Sequence, residues 1–168
     1  YFLNRKIKIL VIPNLTPNPI NYVKYFNVQR LLFTGGDSIG PSCFSESSKL
    51  KTKRDLLEQK LFDWGLKHDI PIFGVCRGMQ LINICLGGSI TKNLKRHLIN
   101  ESHVASYHTI KTDDGRVLSV NSFHNEGIFE HQVAKSLRVF AKSSEGVIEG
   151  LIHKDKNIIG IQWHPERE

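Results

Sequence analysis

Short apolar runs, each closed by Pro, Gly or Asn, punctuate the chain, and their rhythm changes about two thirds of the way along. Lys8–Ile12 (KILVI) is a β-branched run ended by Pro13 and predicts a buried strand. A Pro/Asn/Thr-rich loop follows, and Ile20–Phe26 predicts a short helix. Arg30–Thr34 (RLLFT) predicts a second buried strand running directly into Gly35-Gly36-Asp37. Gly40–Leu50 is Ser-rich and predicts a surface loop. From Thr52 to Lys67, apolar residues recur among charges at helical spacing, and Thr52 with Asp55 three positions on suits a helix start. Ile70–Val75 predicts a third buried strand, and the residues after Cys76 a helix up to Leu86, stopped by Gly87-Gly88.

Beyond about Ser106, five short strands are predicted in succession: His108–Lys111, Val117–Val120, Leu137–Ser143, Val147–Ile152 and Ile158–Trp163. Asp113-Asp114-Gly115 is a hairpin turn between the first two. Strands alternating with helices in the first half predict an α/β fold with a parallel sheet, and the later strands an antiparallel extension of it. No repeat, low-complexity tract or composition break divides residues 1–168, which read as one domain.

Composition narrows the class. Hydrophobic content of 40% and charged content of 23% exclude a disordered chain, and no run approaches the ~20 apolar residues of a membrane helix. No signal-peptide pattern lies near Tyr1, and the missing initial Met reads as an internal cut of a longer protein. Three cysteines, Cys43, Cys76 and Cys85, with no Cys-x-x-Cys, point to a reducing, cytoplasmic setting and away from a zinc ribbon. The net charge of +7 fits a basic enzyme, a nucleic-acid surface or a site for an anionic small molecule. Its two local clusters, Lys49–Lys51–Lys53–Arg54 and Lys92–Lys95–Arg96, lack the interleaved aromatic residues of a base-stacking platform, which argues against nucleic acid.

One turn carries candidate chemistry. Gly74-Val75-Cys76-Arg77-Gly78 joins a predicted strand to a predicted helix, the Gly-x-nucleophile-x-Gly spacing with Cys as nucleophile. The glycines let strand and helix pack closely, and the central side chain stands at the carboxyl end of the sheet. A helix N-terminus there is expected to lower the thiol pKa. Cys85, on the apolar face of the helix, reads as packing, and Cys43 as exposed. Among eight histidines, His164 follows an apolar strand directly, with Pro165 and then Glu166. Two positions apart in an extended chain, Glu166 can orient the His164 ring, as the third member of a triad does. His103 and His108 could form a metal pair, but no third and fourth ligands stand at suitable spacing, so no metal site and no cofactor is expected.

Thr34-Gly35-Gly36-Asp37, Gly74-Val75-Cys76-Arg77-Gly78-Met79-Gln80 and Gln162-Trp163-His164-Pro165-Glu166 together resemble the class I glutamine amidotransferase-like family, of flavodoxin-like fold. Arg54-Asp55 with Glu58, Asn83 with Gly87-Gly88, and Asn121-Ser122-Phe123-His124 bring it nearest to the γ-glutamyl hydrolase branch. The resemblance implies a mostly parallel sheet flanked by helices and a Cys76–His164–Glu166 triad. It also implies an oxyanion hole from the Gly36 and Arg77 amides, and substrate contacts from Gln80, Ser122, Phe123 and His124, with Asp37 and Arg54 at the rim. It implies a small γ-glutamyl conjugate as substrate, with an anionic, nucleotide-linked amine half suggested by the basic clusters. A glutaminase domain serving a partner synthetase, or a binding module without activity, are the rival readings, and a homodimer stays open. The sequence departs from the family pattern in lacking its first strand and helix, in Asn125-Glu126 where His-Gln is usual, and in a compressed Gly40–Lys53 loop.

Overall fold

The computed structural model describes residues 7–40, 52–99 and 102–167. Three helices and nine strands form among them: α1 Pro19–Tyr25, β1 Leu31–Phe33, α2 Lys53–Lys67, β2 Ile72–Val75, α3 Arg77–Cys85, β3 Thr91–Lys92, β4 Ser106–Thr112, β5 Val117–Ser122, β6 Glu126–Gly127, β7 Leu137–Ser143, β8 Ile148–His153 and β9 Ile158–Ile161. Seven strands make a mixed sheet in the order β1-β2-β9-β8-β7-β4-β5, and β3 pairs with β6 in a separate ribbon. β1, β2 and β9 run parallel, and every pairing from β9 outward to β5 is antiparallel. The expected α/β sheet with an antiparallel extension is therefore present, with β9 at the junction of its two halves.

The helix α2 begins where its sequence places it. Thr52 Oγ1 accepts from the Asp55 amide and Asp55 Oδ2 accepts from the Thr52 amide, a reciprocal capping box. The main core lies where α2 and α3 pack on one face of the parallel strands, joining Leu57, Leu61 and Phe62 to Leu31, Phe33 and Ile72. The other face of β1 and β2 is partly open, with Leu32 and Phe73 46% and 37% exposed. These two strands are thus half-buried rather than buried, because the helices cover only one side. Asp113–Gly115 forms the predicted turn between β4 and β5, with Gly115 at φ +86.

The predicted strand Lys8–Ile12 does not form. It pairs with no strand among the described residues, and Ile9 and Val11 are 61% and 79% exposed. An apolar run meets the sequence criterion for a strand, but a strand also needs a neighbour for its N–H and C=O groups. Of the predicted Gly40–Leu50 loop only Gly40 is among the described residues, and Cys43, Lys49 and Lys51 lie outside them.

Candidate active site

The last rung of the β2–β9 ladder pairs Val75 with Ile161, and the Cys76 amide donates to the Ile161 carbonyl at 2.8 Å. The chain then turns at once into α3. Cys76 takes φ 51, ψ −107, outside the regions favoured by L residues. Holding such a conformation costs about 1–3 kcal/mol, which the surrounding packing offsets. The two flanking glycines show how tight that packing is. A Cβ on Gly74 would lie 2.6 Å from the Gly78 carbonyl carbon and oxygen, and one on Gly78 would lie 2.1 Å from the Phe33 oxygen. The Gly-x-Cys-x-Gly spacing is therefore a packing requirement of this turn.

His164 leaves the carboxyl end of β9, the strand beside β2. Asn121, at the end of β5, fixes its backbone from both sides: Oδ1 accepts from the His164 amide at 2.9 Å and Nδ2 donates to the His164 carbonyl at 2.7 Å. The imidazole lies against Gly35, where a Cβ would come within 2.5 Å of Cε1. His164 Nδ1 and Glu166 Oε1 are 2.6 Å apart. A carboxylate only accepts, so Nδ1–H donates and Nε2 is left as the basic nitrogen. Glu166 reaches the ring from the short 3₁₀ turn Pro165–Arg167, not from an extended chain as the sequence implied. Partial burial would raise the Glu166 pKa, but the His164 hydrogen bond and nearby positive charge outweigh it and hold the carboxyl below its ordinary range.

A cavity of about 240 Å³ opens over this turn. Cys76, Arg77 and Gly36 line it, so the expected nucleophile and both expected oxyanion donors meet on one surface. Asp37, Gln80, Phe123 and His124 contribute further wall. Gln80 is held by its amide, which donates to the Glu126 carbonyl at 3.0 Å. Phe123 also meets the His164 ring edge-on, with centroids 5.9 Å apart.

Two expected substrate contacts are directed elsewhere. Ser122 is fully buried, and its hydroxyl donates to the His103 carbonyl at 3.0 Å. Arg54 braces the Thr34–Gly36 loop from behind: Nη2 donates to the Thr34 and Gly35 carbonyls, both at 3.0 Å, and Nη1 lies where a Gly36 Cβ would stand. Arg54 Nε also pairs with Glu58 at 2.8 Å. The Arg77 guanidinium turns inward to Asp55 and Glu58, so α2 ties the nucleophile turn to the Gly36 loop. Burial alone would raise the Asp55 pKa, but hydrogen bonds from Thr52 and the Gly40 amide, with the Arg77 charge, bring it below the ordinary range.

Asn121 and Gln162, which carry no expected role in the motifs, contact His164 and Cys76. Gln162 Nε2 lies 3.6 Å from Cys76 Sγ, and Asn121 positions His164. Their motifs were visible, but nothing in spacing alone gave their partners. Replacing Asn121 by Leu is expected to lower turnover about 10–100-fold with little change in KM, by analogy with the loss of supporting hydrogen bonds around a site residue. Steady-state kinetics on the variant checks this.

The thiol differs from expectation. Burial pushes Cys76 up to about 11, outweighing the Arg77 amide at the helix start, and the Glu149 carboxylate adds in the same direction. Cys76 is thus a thiol near neutrality. Alkylation of Cys76 by iodoacetamide is expected to rise roughly tenfold per pH unit from pH 7 to 10, following the thiolate fraction. Peptide mass mapping of the Cys76 adduct reads this out, and a plateau below pH 8 would contradict it.

The Peptidase C26 family profile matches residues 7–166. The chain belongs to the Peptidase C26 family, of class I glutamine amidotransferase-like proteins. Within and around the Peptidase C26 family, "Protein NtpR" of Enterococcus hirae is 35% identical over 83% of this chain and 67% of its own length. The γ-glutamyl-CDP-amidate hydrolase of Campylobacter jejuni is 31% identical over 92% of this chain and 73% of its own. The crystal structure of a glutamine amido transferase from Methylobacillus flagellatus superposes with a TM-score of 0.69 at 14% identity, covering 97% of this chain and 61% of that one, which shows the shared fold. No helix among the described residues is long and apolar enough to cross a membrane.

Proposed function

We propose that the chain is a cysteine-dependent amidohydrolase that cleaves the γ-glutamyl amide bond of a small γ-glutamyl conjugate. The observation that carries this reading is the strained Cys76 beneath a cavity shared by Gly36 and Arg77, with the Glu166-oriented His164 leaving the adjacent parallel strand. Sγ attacks the amide carbonyl carbon while His164 Nε2 takes the thiol proton, and the Gly36 and Arg77 amides receive the developing oxyanion. The same proton passes to the amine nitrogen as the C–N bond breaks. Water, deprotonated by His164, then cleaves the glutamyl thioester, releasing glutamate and restoring the thiol.

The cavity's volume suits the glutamyl half alone, which leaves the amine half at the rim. Asp37, in the wall, offers a carboxylate to the substrate's α-ammonium group. The exposed Lys92–Lys95–Arg96 segment is tied to two wall residues, since β3 pairs Lys92 with Glu126 and the Leu94 amide donates to the Asn125 carbonyl at 2.9 Å, which puts its charges near the rim in this reading. A cationic rim favours an anionic amine half, and the C. jejuni relative's γ-glutamyl-CDP-amidate has that character. Free glutamine presents the same glutamyl half, so a glutaminase supplying ammonia to a partner synthetase is the second reading.

Glutamate release from γ-glutamyl-CDP-amidate, from uncharged γ-glutamyl conjugates and from glutamine, with trapping of the thioester by intact mass, separates these readings. Hydrolysis of glutamine alone, or only with a partner protein present, would replace the first with the second. The double variant Lys95→Glu/Arg96→Glu is expected to raise KM for the nucleotide conjugate by about tenfold at low salt and to leave an uncharged conjugate unaffected.

A further inference from the structure

Behind the cavity wall lies a second group of polar side chains with no part in the proposed reaction. His103 precedes β4, His108 stands on β4, His124 follows β5 and Glu149 lies on β8; all four are buried, with exposures of 3%, 8%, 6% and 0%. His103, His108 and Glu149 do not line the cavity, and His124 forms part of the wall between cavity and cluster. We propose that His103 Nδ1, His124 Nε2 and Glu149 Oε1 bind one divalent first-row transition ion, with Zn²⁺ the best match to this donor set.

The geometry carries this. His103 Nδ1 and His124 Nε2 are 3.3 Å apart, His103 Nδ1 and Glu149 Oε1 3.6 Å, and His124 Nε2 and Glu149 Oε1 3.7 Å. Three ligand atoms held about 2.0–2.1 Å from one tetrahedral ion stand about 3.3–3.4 Å from each other. The triangle closes onto an ion by shifts of a few tenths of an ångström. Two imidazoles and one carboxylate are a common zinc set, leaving the fourth position for water or a further side chain.

Two further features point the same way. His124 Nδ1 lies 2.8 Å from the Glu126 carbonyl, which can only accept, so the ring's proton is fixed on Nδ1 and a neutral ring turns its Nε2 lone pair into the cluster. That is how ligand histidines are ordinarily oriented. His108 Nε2 stands 3.3 Å from Glu149 Oε1, yet neither nitrogen of this buried ring makes a hydrogen bond among the described residues.

The test uses the full chain stripped with EDTA, then given Zn²⁺ and passed through gel filtration. One Zn²⁺ per chain is expected by elemental analysis, with a Kd below about 1 μM by competition against a chromogenic chelator. His103→Ala and Glu149→Gln should each weaken binding by at least about tenfold, whereas Cys76→Ala should leave it unchanged. Circular dichroism confirms that each variant is folded. Co²⁺ on the unaltered protein gives a reading that needs no variant: visible bands of a tetrahedral nitrogen and oxygen site, with no sulfur charge-transfer band. Failure to retain Zn²⁺ would overturn the proposal. A sulfur band, or binding that survives His103→Ala but not Cys76→Ala, would overturn it equally.

Discussion

Cys76→Ala is expected to reduce glutamate release by about 10⁴-fold or more, since the proposed mechanism without its nucleophile leaves only binding and oxyanion donors to act on the substrate. The substitution removes one sulfur and leaves the backbone turn in place, because neither Gly74 nor Gly78 is altered and the Cys76 amide bond to Ile161 is kept. The thermal unfolding curve should therefore move little, which separates lost chemistry from lost fold. The glutamyl adduct of the native chain, seen by intact mass after rapid acid quench, should vanish from the variant. Turnover equal to that of the native chain would remove Cys76 from the mechanism.

Gly78→Ala should have the largest effect on stability. The added methyl would meet the Phe33 carbonyl oxygen at 2.1 Å and carbon at 2.7 Å, atoms of a strand backbone that no side-chain rotation can move. Forcing α3 away from β1 is expected to cost about 3 kcal/mol or more, the upper end for overpacking in a closed core. For a chain of this size that lowers Tm by about 6–12 °C. Gly87→Ala provides the comparison. Gly87 has φ +90 but nothing within 4 Å of an added Cβ, so only backbone strain of about 1–2 kcal/mol applies. Urea unfolding of the two variants side by side reads the difference, and equal losses would show that the β1–α3 contact is not as close as described.

What the sequence displayed and what it hid divide by distance along the chain. The Thr52–Asp55 cap, the Gly74–Gly78 spacing and the His164–Glu166 pair are all local, and each set of residues carries its own physical reason within five positions. Lys8–Ile12 failed because hydrophobic pattern reports the wish to be covered and says nothing about whether a hydrogen-bonding neighbour is present. The thiol's pKa rises where the sequence implies a fall, because a helix start shows in the sequence while the burial of Cys76 among Val75, Ile161, Phe140 and Trp163 does not. In the sequence His103 and His108 stand as a pair without further ligands at suitable spacing. Their companions His124 and Glu149 come from a different strand end and a different hairpin, brought close only by the antiparallel half of the sheet.

The placement of β9 between the two halves of the sheet also has a consequence for how the protein comes into being. The sulfur of Cys76 meets Gln162 across a separation of 86 residues, and the strand that braces the Cys76 turn is made after every other strand described. Contacts so distant in sequence form late and slowly. A nascent chain can thus build α2, β2 and α3, yet it has neither the His164 imidazole nor the β9 edge that holds the Cys76 amide. Competence should arrive in a single late step when synthesis reaches β9, so truncated products carry an inert thiol.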